Sequence, residues 1–367
     1  MTTLPPLRPV RLGNNQATRE DRPDGSILIR SRLPLPDYPR ALTDRLDQWA
    51  AKQPDRILFA DRPDGGDWRK VSYAETVAMS SALGEYLLQH GLSTERPLVI
   101  LAENSVEHAL LALGAMRAGI PYAPVSTPYA LASQDYGKLR HVFELLTPGM
   151  VYVSKQAPYR QALAAVAPDL ALLTPHGDGS TLDWQQALAT TPGATLAAAQ
   201  AALNPDTVAK FLFTSGSTGL PKAVINTQRM LCCNQAMIAE SLAFLKHEPP
   251  VLVDWMPWNH TAGGNHNFGI AIYNGGTLYI DGGKPTPAGI AETVRNLSEI
   301  APTWYSNVPK GYEMLVERMA DNDALRRSFF ARLNQIQYAG ASLARHVWDG
   351  LMQHAQATTG QRIMIVT

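Results

Sequence analysis

Residues 97–125 constrain the fold more than any other stretch. They read PLVILA (97–102), ENSVEHALLALGAMRAG (103–119) and IPYAPV (120–125). A short apolar run leads into a helical-period segment that ends at Gly119, and a second apolar run follows. Two strands separated by a full helix have length enough for a crossover, so they run parallel in one sheet. The fold class that follows is α/β, with helices packed on mostly parallel sheets. Arg117 and Pro121 interrupt the apolar stretch 108–125, so it reads as a buried helix and strand, not a membrane span.

The same grammar extends both ways. ALTDRLDQWAAKQP (41–54) has helical spacing, and 62–75 reads as a turn, a strand and a helix start. Short strands are predicted at 150–154 and 170–174, then at 209–213, 250–256, 277–280, 302–306, 335–338 and 362–366. Helices are predicted at 286–298, 310–320 and 344–356. The Ala- and Thr-rich stretch 186–206 is expected to be a loose connector. It would separate a first α/β lobe (31–205) from a second (206–367), with residues 1–30 as a surface arm without periodicity.

Charge and cysteine content exclude several functions. The 32 basic residues match the 32 acidic ones, which removes the electrostatic footprint of a nucleic-acid binder. The two cysteines, Cys232 and Cys233, are adjacent, where disulfide geometry is rarely met, and no metal-ligand spacing surrounds them. A reducing, cytoplasmic setting is expected. The N-terminus lacks the apolar core of a signal peptide.

The chemistry concentrates in FLFTSGSTGLPKAV (211–224). A strand runs into Thr214, Ser215, Gly216, Ser217, Thr218 and Gly219, and Lys222 follows. Glycines and small polar residues let backbone N–H groups turn toward an anion, the hydroxyls add donors, and the lysine supplies a compact cation. Ligands of parallel α/β sheets collect at strand carboxyl ends, where this stretch is expected to lie. The pattern is not a Walker loop, because Pro221 precedes the lysine and no Ser or Thr follows it. A polar turn with an incidental lysine is the plain structural alternative.

TSGSTGLPKAV resembles the phosphate-binding signature of the adenylate-forming superfamily, which includes acyl-CoA synthetases, luciferases and peptide-synthetase adenylation domains. Ala223 stands where that signature usually has glycine. EHALLALGAMRAGIPYAPVS (107–126), VDWMPWNHTAGGNHNF (253–268), WYSNVPKGYEML (304–315) and YAGASLARHVWDGL (338–351) are similar to feruloyl-CoA synthetases. The resemblance covers nearly the whole chain apart from the N-terminal arm. It implies that Thr214 to Gly219 with Lys222 hold the ATP phosphates. His260 would be the gate beside the acyl carboxylate, although a buried structural imidazole is the alternative. Gly263 and Gly264 would let backbone approach a flat ligand, and Asn307 and Tyr338 would belong to the acyl pocket. Gly340, Ala341 and Ser342 would pack on adenine, and the same segment also reads as a plain strand-to-helix turn. His260 and His266 share no helix face and have no acidic partner nearby, so a zinc site is not expected.

The implied reaction uses ATP, Mg²⁺ and CoA to turn a small carboxylic acid such as ferulate into its thioester. Trp255, Trp258, Phe268, Tyr305 and Tyr338 could line a flat slot or form an ordinary core. The metal ligands and the oligomeric state are not readable. In the family, the strand that ends this chain leads into a loop with a Mg²⁺-binding glutamate, a ribose-binding aspartate and a small C-terminal domain carrying a catalytic lysine. The resemblance therefore implies a C-terminally truncated chain with impaired turnover and at most weak nucleotide binding. A ligase for another aryl or fatty acid, and a non-catalytic nucleotide- or acid-binding relative, stay open as alternatives.

Overall fold

The computed structural model describes residues 5–14, 16–215 and 219–367. It divides into two compact units. One comprises Pro39–Leu231 and Met256–Gly269; the other comprises Met1–Tyr38, Cys232–Trp255 and Ile270–Thr367.

The Pro39–Leu231 unit is built on a seven-stranded sheet. Its centre is the parallel pair Leu98–Ile100 and Tyr122–Pro124, joined through the helix Val106–Arg117, as the opening motif requires. The strands are fully buried, because helices cover both faces and a parallel strand then carries apolar residues on each side. The Ser105 side chain accepts from the His108 amide and caps the crossover helix. Met150–Tyr152 and Leu172–Thr174 extend the sheet in parallel on one side. On the other side, Val208–Ser215 pairs in parallel with Tyr122–Pro124, and Pro221–Thr227 folds back antiparallel to form the edge.

In the second unit, three parallel strands, Trp304–Asn307, Gln335–Tyr338 and Met364–Val366, form one sheet. Its core gathers Tyr305, Tyr312, Leu315, Phe329, Ile336 and Leu351. Helices Pro309–Met319 and Arg345–Thr359 connect these strands, near the predicted bounds. Val251–Asp254 and Thr277–Ile280 pair in parallel in the same unit.

Three expectations are corrected. The arm 1–30 is not featureless, since Ala17–Asp21 and Ile27–Ser31 form an antiparallel hairpin. Upstream of it, Arg8 donates through Nη1 to the carbonyls of Phe330 and Leu333 at 2.7 and 2.8 Å. The connector 186–206 holds the helix Ala194–Ala202, whose Leu196 is buried; alanine is the strongest helix former, which the loop reading discounted. The lobe boundary also falls elsewhere. Residues 206–231 group with the first sheet, because the strand Val208–Ser215 hydrogen-bonds into it.

Among the described residues, no helix is long and apolar enough to cross a membrane. Cys232 and Cys233 are not joined in a disulfide.

Candidate active site

Thr214 and Lys222 lie at the facing ends of two strands, Val208–Ser215 and Pro221–Thr227, that pair antiparallel. Pro221 is the first residue of an edge strand, where a missing N–H costs the ladder little. In the antiparallel register Thr214 faces Lys222 and Ser215 faces Pro221. Directly opposed residues share a sheet face, so the Thr214 hydroxyl and the Lys222 amine project together at the mouth of the loop, and both are exposed. Gly219 has φ of 84°, a left-handed conformation that glycine adopts without strain. Gly216, Ser217 and Thr218 lie outside the described residues. The His141 imidazole Nε2 is 3.0 Å from the Pro221 carbonyl. With Lys222 and Ile225 it lines a groove of about 670 Å³ along the edge strand.

In the same unit, residues 257–268 form the turn that carries His260. His260 is exposed, which removes the buried-imidazole alternative. The chain passes from there into a π-helix, Ala262–Asn267. Asn104, just beyond the carboxyl end of Leu98–Ile100, clamps the start of the turn. Its Nδ2 donates to the Met256 carbonyl at 2.8 Å, and its Oδ1 accepts from the Trp258 amide at 3.0 Å.

Gly263 and Gly264 are required here for a reason other than ligand approach. A Cβ on Gly263 would sit 2.4 Å from the Met256 oxygen, and one on Gly264 would sit 2.1 Å from the Trp258 oxygen. Both are buried. The turn folds tightly on its own backbone, and the glycines permit that packing.

Two further residues hold the turn. Lys210, within the strand Val208–Ser215, is buried, and its Nζ donates to the Gly264 carbonyl at 2.6 Å. The Tyr122 ring lies 5.5 Å from that nitrogen. Burial alone lowers the Lys210 pKa to about 7. On the opposing strand the Asn226 Oδ1 accepts from Asn265 Nδ2 at 2.8 Å. Next to this region His108 is held neutral, because burial depresses its pKa to about 4. Its ring meets Trp258 edge-on, with centroids 4.9 Å apart. Trp258 in turn packs edge-on to Phe268, which stacks on Phe59, so both aromatics of this stretch are core residues.

The remaining predicted residues fall in the other unit, at the carboxyl ends of two parallel strands. Asn307 and Tyr338 are register partners there. Asn307 is buried and its amide makes three of its four possible hydrogen bonds: Oδ1 accepts from Trp255 Nε1 at 3.2 Å and from the Val308 amide at 2.8 Å, and Nδ2 donates to the Tyr305 hydroxyl at 2.9 Å. One N–H of this amide is left for a further partner. Tyr305 is core, and Tyr338 is half-buried. Gly340 turns the chain with φ of 90°, and Gly340, Ala341 and Ser342 are exposed before the helix Arg345–Thr359. Such an exposed turn at a parallel carboxyl edge is where α/β sheets present backbone to ligands.

His266 Nδ1 is 3.0 Å from Asn267 Oδ1, and burial lowers its pKa. Among the described residues no group of three His, Cys, Asp or Glu side chains could hold a metal ion. Lys210, Asn104 and Asn226 escaped the sequence reading. A lone lysine inside the apolar strand VAKFLF, and an asparagine just past PLVILA, were the available signals.

The chain is 30% identical over 198 residues to a 4-hydroxybenzoate-CoA/benzoate-CoA ligase of Rhodopseudomonas palustris, covering 53% of this chain and 34% of that one. It is 28% identical over 256 residues to indigoidine synthase of Streptomyces lavendulae, covering 68% of this chain and 18% of that one. The chain thus spans about a third or less of the length of these two curated relatives. Its fold matches a long-chain-fatty-acid-CoA ligase from Archaeoglobus fulgidus with a TM-score of 0.72 at 16% identity, over 92% of this chain and 65% of that one. A family model described as AMP-binding enzyme matches residues 46–363, and the chain belongs to that family.

Proposed function

We propose that this chain binds ATP as its Mg²⁺ complex on the 214–222 hairpin and serves the activation of a hydroxycinnamate such as ferulate, first to the acyl adenylate and then to the CoA thioester. The observation that carries the reading is the hairpin mouth, where an exposed lysine stands opposite a threonine hydroxyl beside a Gly/Ser/Thr loop. In the first step a carboxylate oxygen attacks the α-phosphorus and pyrophosphate leaves. In the second the CoA thiol displaces AMP from the acyl carbon. Negative charge grows on phosphate oxygens in the first step, so a fixed cation and aligned donors lower its barrier. Lys222 and Thr214 would hold the phosphates, and His260 would stand beside the acid carboxylate. Gly340, Ala341 and Ser342 would face adenine, with Asn307 and Tyr338 in the acyl wall. The Mg²⁺ would be ligated chiefly by phosphate and water oxygens, as that ion prefers.

The hydroxycinnamate assignment rests on the similarity of residues 253–268, 304–315 and 338–351 to feruloyl-CoA synthetases. A second reading, a benzoate-type acid, is favoured by the relatives that are benzoate-CoA and 3-hydroxybenzoate-CoA ligases. Calorimetric titration of the chain with ferulate, 4-hydroxybenzoate and octanoate, each with AMP present, separates the two. Ferulate binding tighter than the others supports the first reading. Preference for 4-hydroxybenzoate replaces it with the second, and binding of none of the three removes both.

A further inference from the structure

We propose that Lys210 and Asn226 form a clasp by which the base of the phosphate hairpin positions the His260 turn. The inference rests on the acyl-activation reading only for what that turn would bind.

The two residues are direct partners across the hairpin, and each reaches the same turn. Lys210 Nζ donates to the Gly264 carbonyl at 2.6 Å, and Asn226 Oδ1 accepts from Asn265 Nδ2 at 2.8 Å. The Gly264 amide donates back to the His260 carbonyl at 2.8 Å, so the clasp is two hydrogen bonds from the His260 backbone. Asn226 is itself held in place, its Nδ2 donating to the Val224 carbonyl at 2.9 Å.

The position of this rung matters. Lys210 and Asn226 lie four residues from Thr214 and Lys222 on their respective strands, an even number, so both rungs project from one face of the hairpin. Four residues of strand span roughly 13 Å. One rigid ladder thus carries the phosphate cation at its open end and the tie to the turn at its base.

Filling the core does not explain Lys210. Burying an amine without a carboxylate is costly, and an apolar side chain of similar length would pack there without that cost. The groups that face it are the Tyr122 ring, the neutral His108 and the Gly264 carbonyl. Both the ammonium and the neutral amine can donate to that carbonyl, so the tie survives titration. What the lysine adds over a hydrophobe is a directed bond that fixes where the glycine turn sits. Asn226 adds a second at the next residue of the turn.

The test is hydrogen exchange on the full chain and on Lys210→Met and Asn226→Ala, together with ligand affinities. Loss of one such bond should speed exchange of the 257–268 peptide about tenfold, while peptides covering Leu98–Ile100 and Tyr122–Pro124 keep their protection. Affinity for Mg²⁺·ATP should stay within about twofold, and affinity for ferulate with AMP present should fall about tenfold, since only the turn is displaced. Unchanged exchange at 257–268 in both variants overturns the clasp, and so does loosening spread evenly over the sheet. Local loosening with ferulate affinity intact overturns the positioning role. If Lys210→Met does not fold, Asn226→Ala decides alone. If the unaltered chain binds neither ferulate nor 4-hydroxybenzoate, the acyl-activation reading fails, and the exchange data still decide the clasp.

Discussion

Lys210 and Lys222 sit on the two strands of one hairpin and live in opposite environments. Lys222 is exposed at the open end, opposite a threonine, in a setting that keeps a cation available to an anion. Lys210 is buried at the base, its pKa pulled to about 7, and its nitrogen is committed to a backbone carbonyl. The contrast teaches that one secondary-structure element carries two kinds of polar group. One kind is exposed to solvent beside a loop, and the other is buried and tied to the backbone of a neighbouring segment.

Substitutions should separate these ends. The largest effect is expected at the turn that the buried end holds. Gly264→Ala would place a methyl 2.1 Å from the Trp258 oxygen, and the backbone would have to shift. A loss of about 3 kcal/mol in urea unfolding is expected, the cost of overpacking a tight site. A loss below about 0.5 kcal/mol would show that the turn is looser than described, since exposed sites give changes of that size.

At the open end the effect should fall on ligand and not on stability. Lys222→Ala should weaken Mg²⁺·ATP binding by roughly 10- to 100-fold, the worth of a charge-assisted phosphate contact, while the melting temperature stays put. Calorimetry and a thermal melt of the same sample check both halves of the expectation.

The buried lysine should also show in the pH dependence of stability. Its folded pKa is about 7 against an ordinary 10.5, so between those values the unfolded chain holds a proton that the folded chain has released. Stability from this group therefore rises with pH across that window, and its penalty is complete below about 7. The stability difference between the unaltered chain and Lys210→Met should shift toward the unaltered chain by about 2 kcal/mol from pH 7 to 9. A difference independent of pH would mean that Lys210 is not desolvated. The smallest effect is expected at Ala223, between the two environments. Ala223→Gly should cost about 0.5–1 kcal/mol through backbone freedom alone and leave ATP affinity unchanged.

The parallel sheet was legible because its strands and crossover helix follow local periodicity, as in 97–125. The stretch 211–224 was legible as a strand leading into a Gly/Ser/Thr-rich loop, but the strand after the loop was not. Only the pairing of Pro221–Thr227 with Val208–Ser215 shows that Pro221 opens an edge strand. Gly263 and Gly264 were legible as a pair of unusual glycines, yet their reason lies in the carbonyls of Met256 and Trp258, which no local pattern reveals. Asn307 stood out by the resemblance alone, while its three side-chain bonds depend on Trp255, Tyr305 and Val308, which no local pattern reveals. The helix Ala194–Ala202 was missed because a run of alanines without large apolar residues was weighed as a linker, although alanine favours helix wherever one side can be buried.

The central claim is that the hairpin mouth is a cradle for nucleotide phosphates. Its most direct test is calorimetric titration of the unaltered chain, Lys222→Ala and Lys210→Met with Mg²⁺·ATP. The account predicts saturable binding at one site, weakened at least about tenfold by Lys222→Ala and within about twofold of unaltered for Lys210→Met. No saturable binding, or binding indifferent to Lys222, would contradict it.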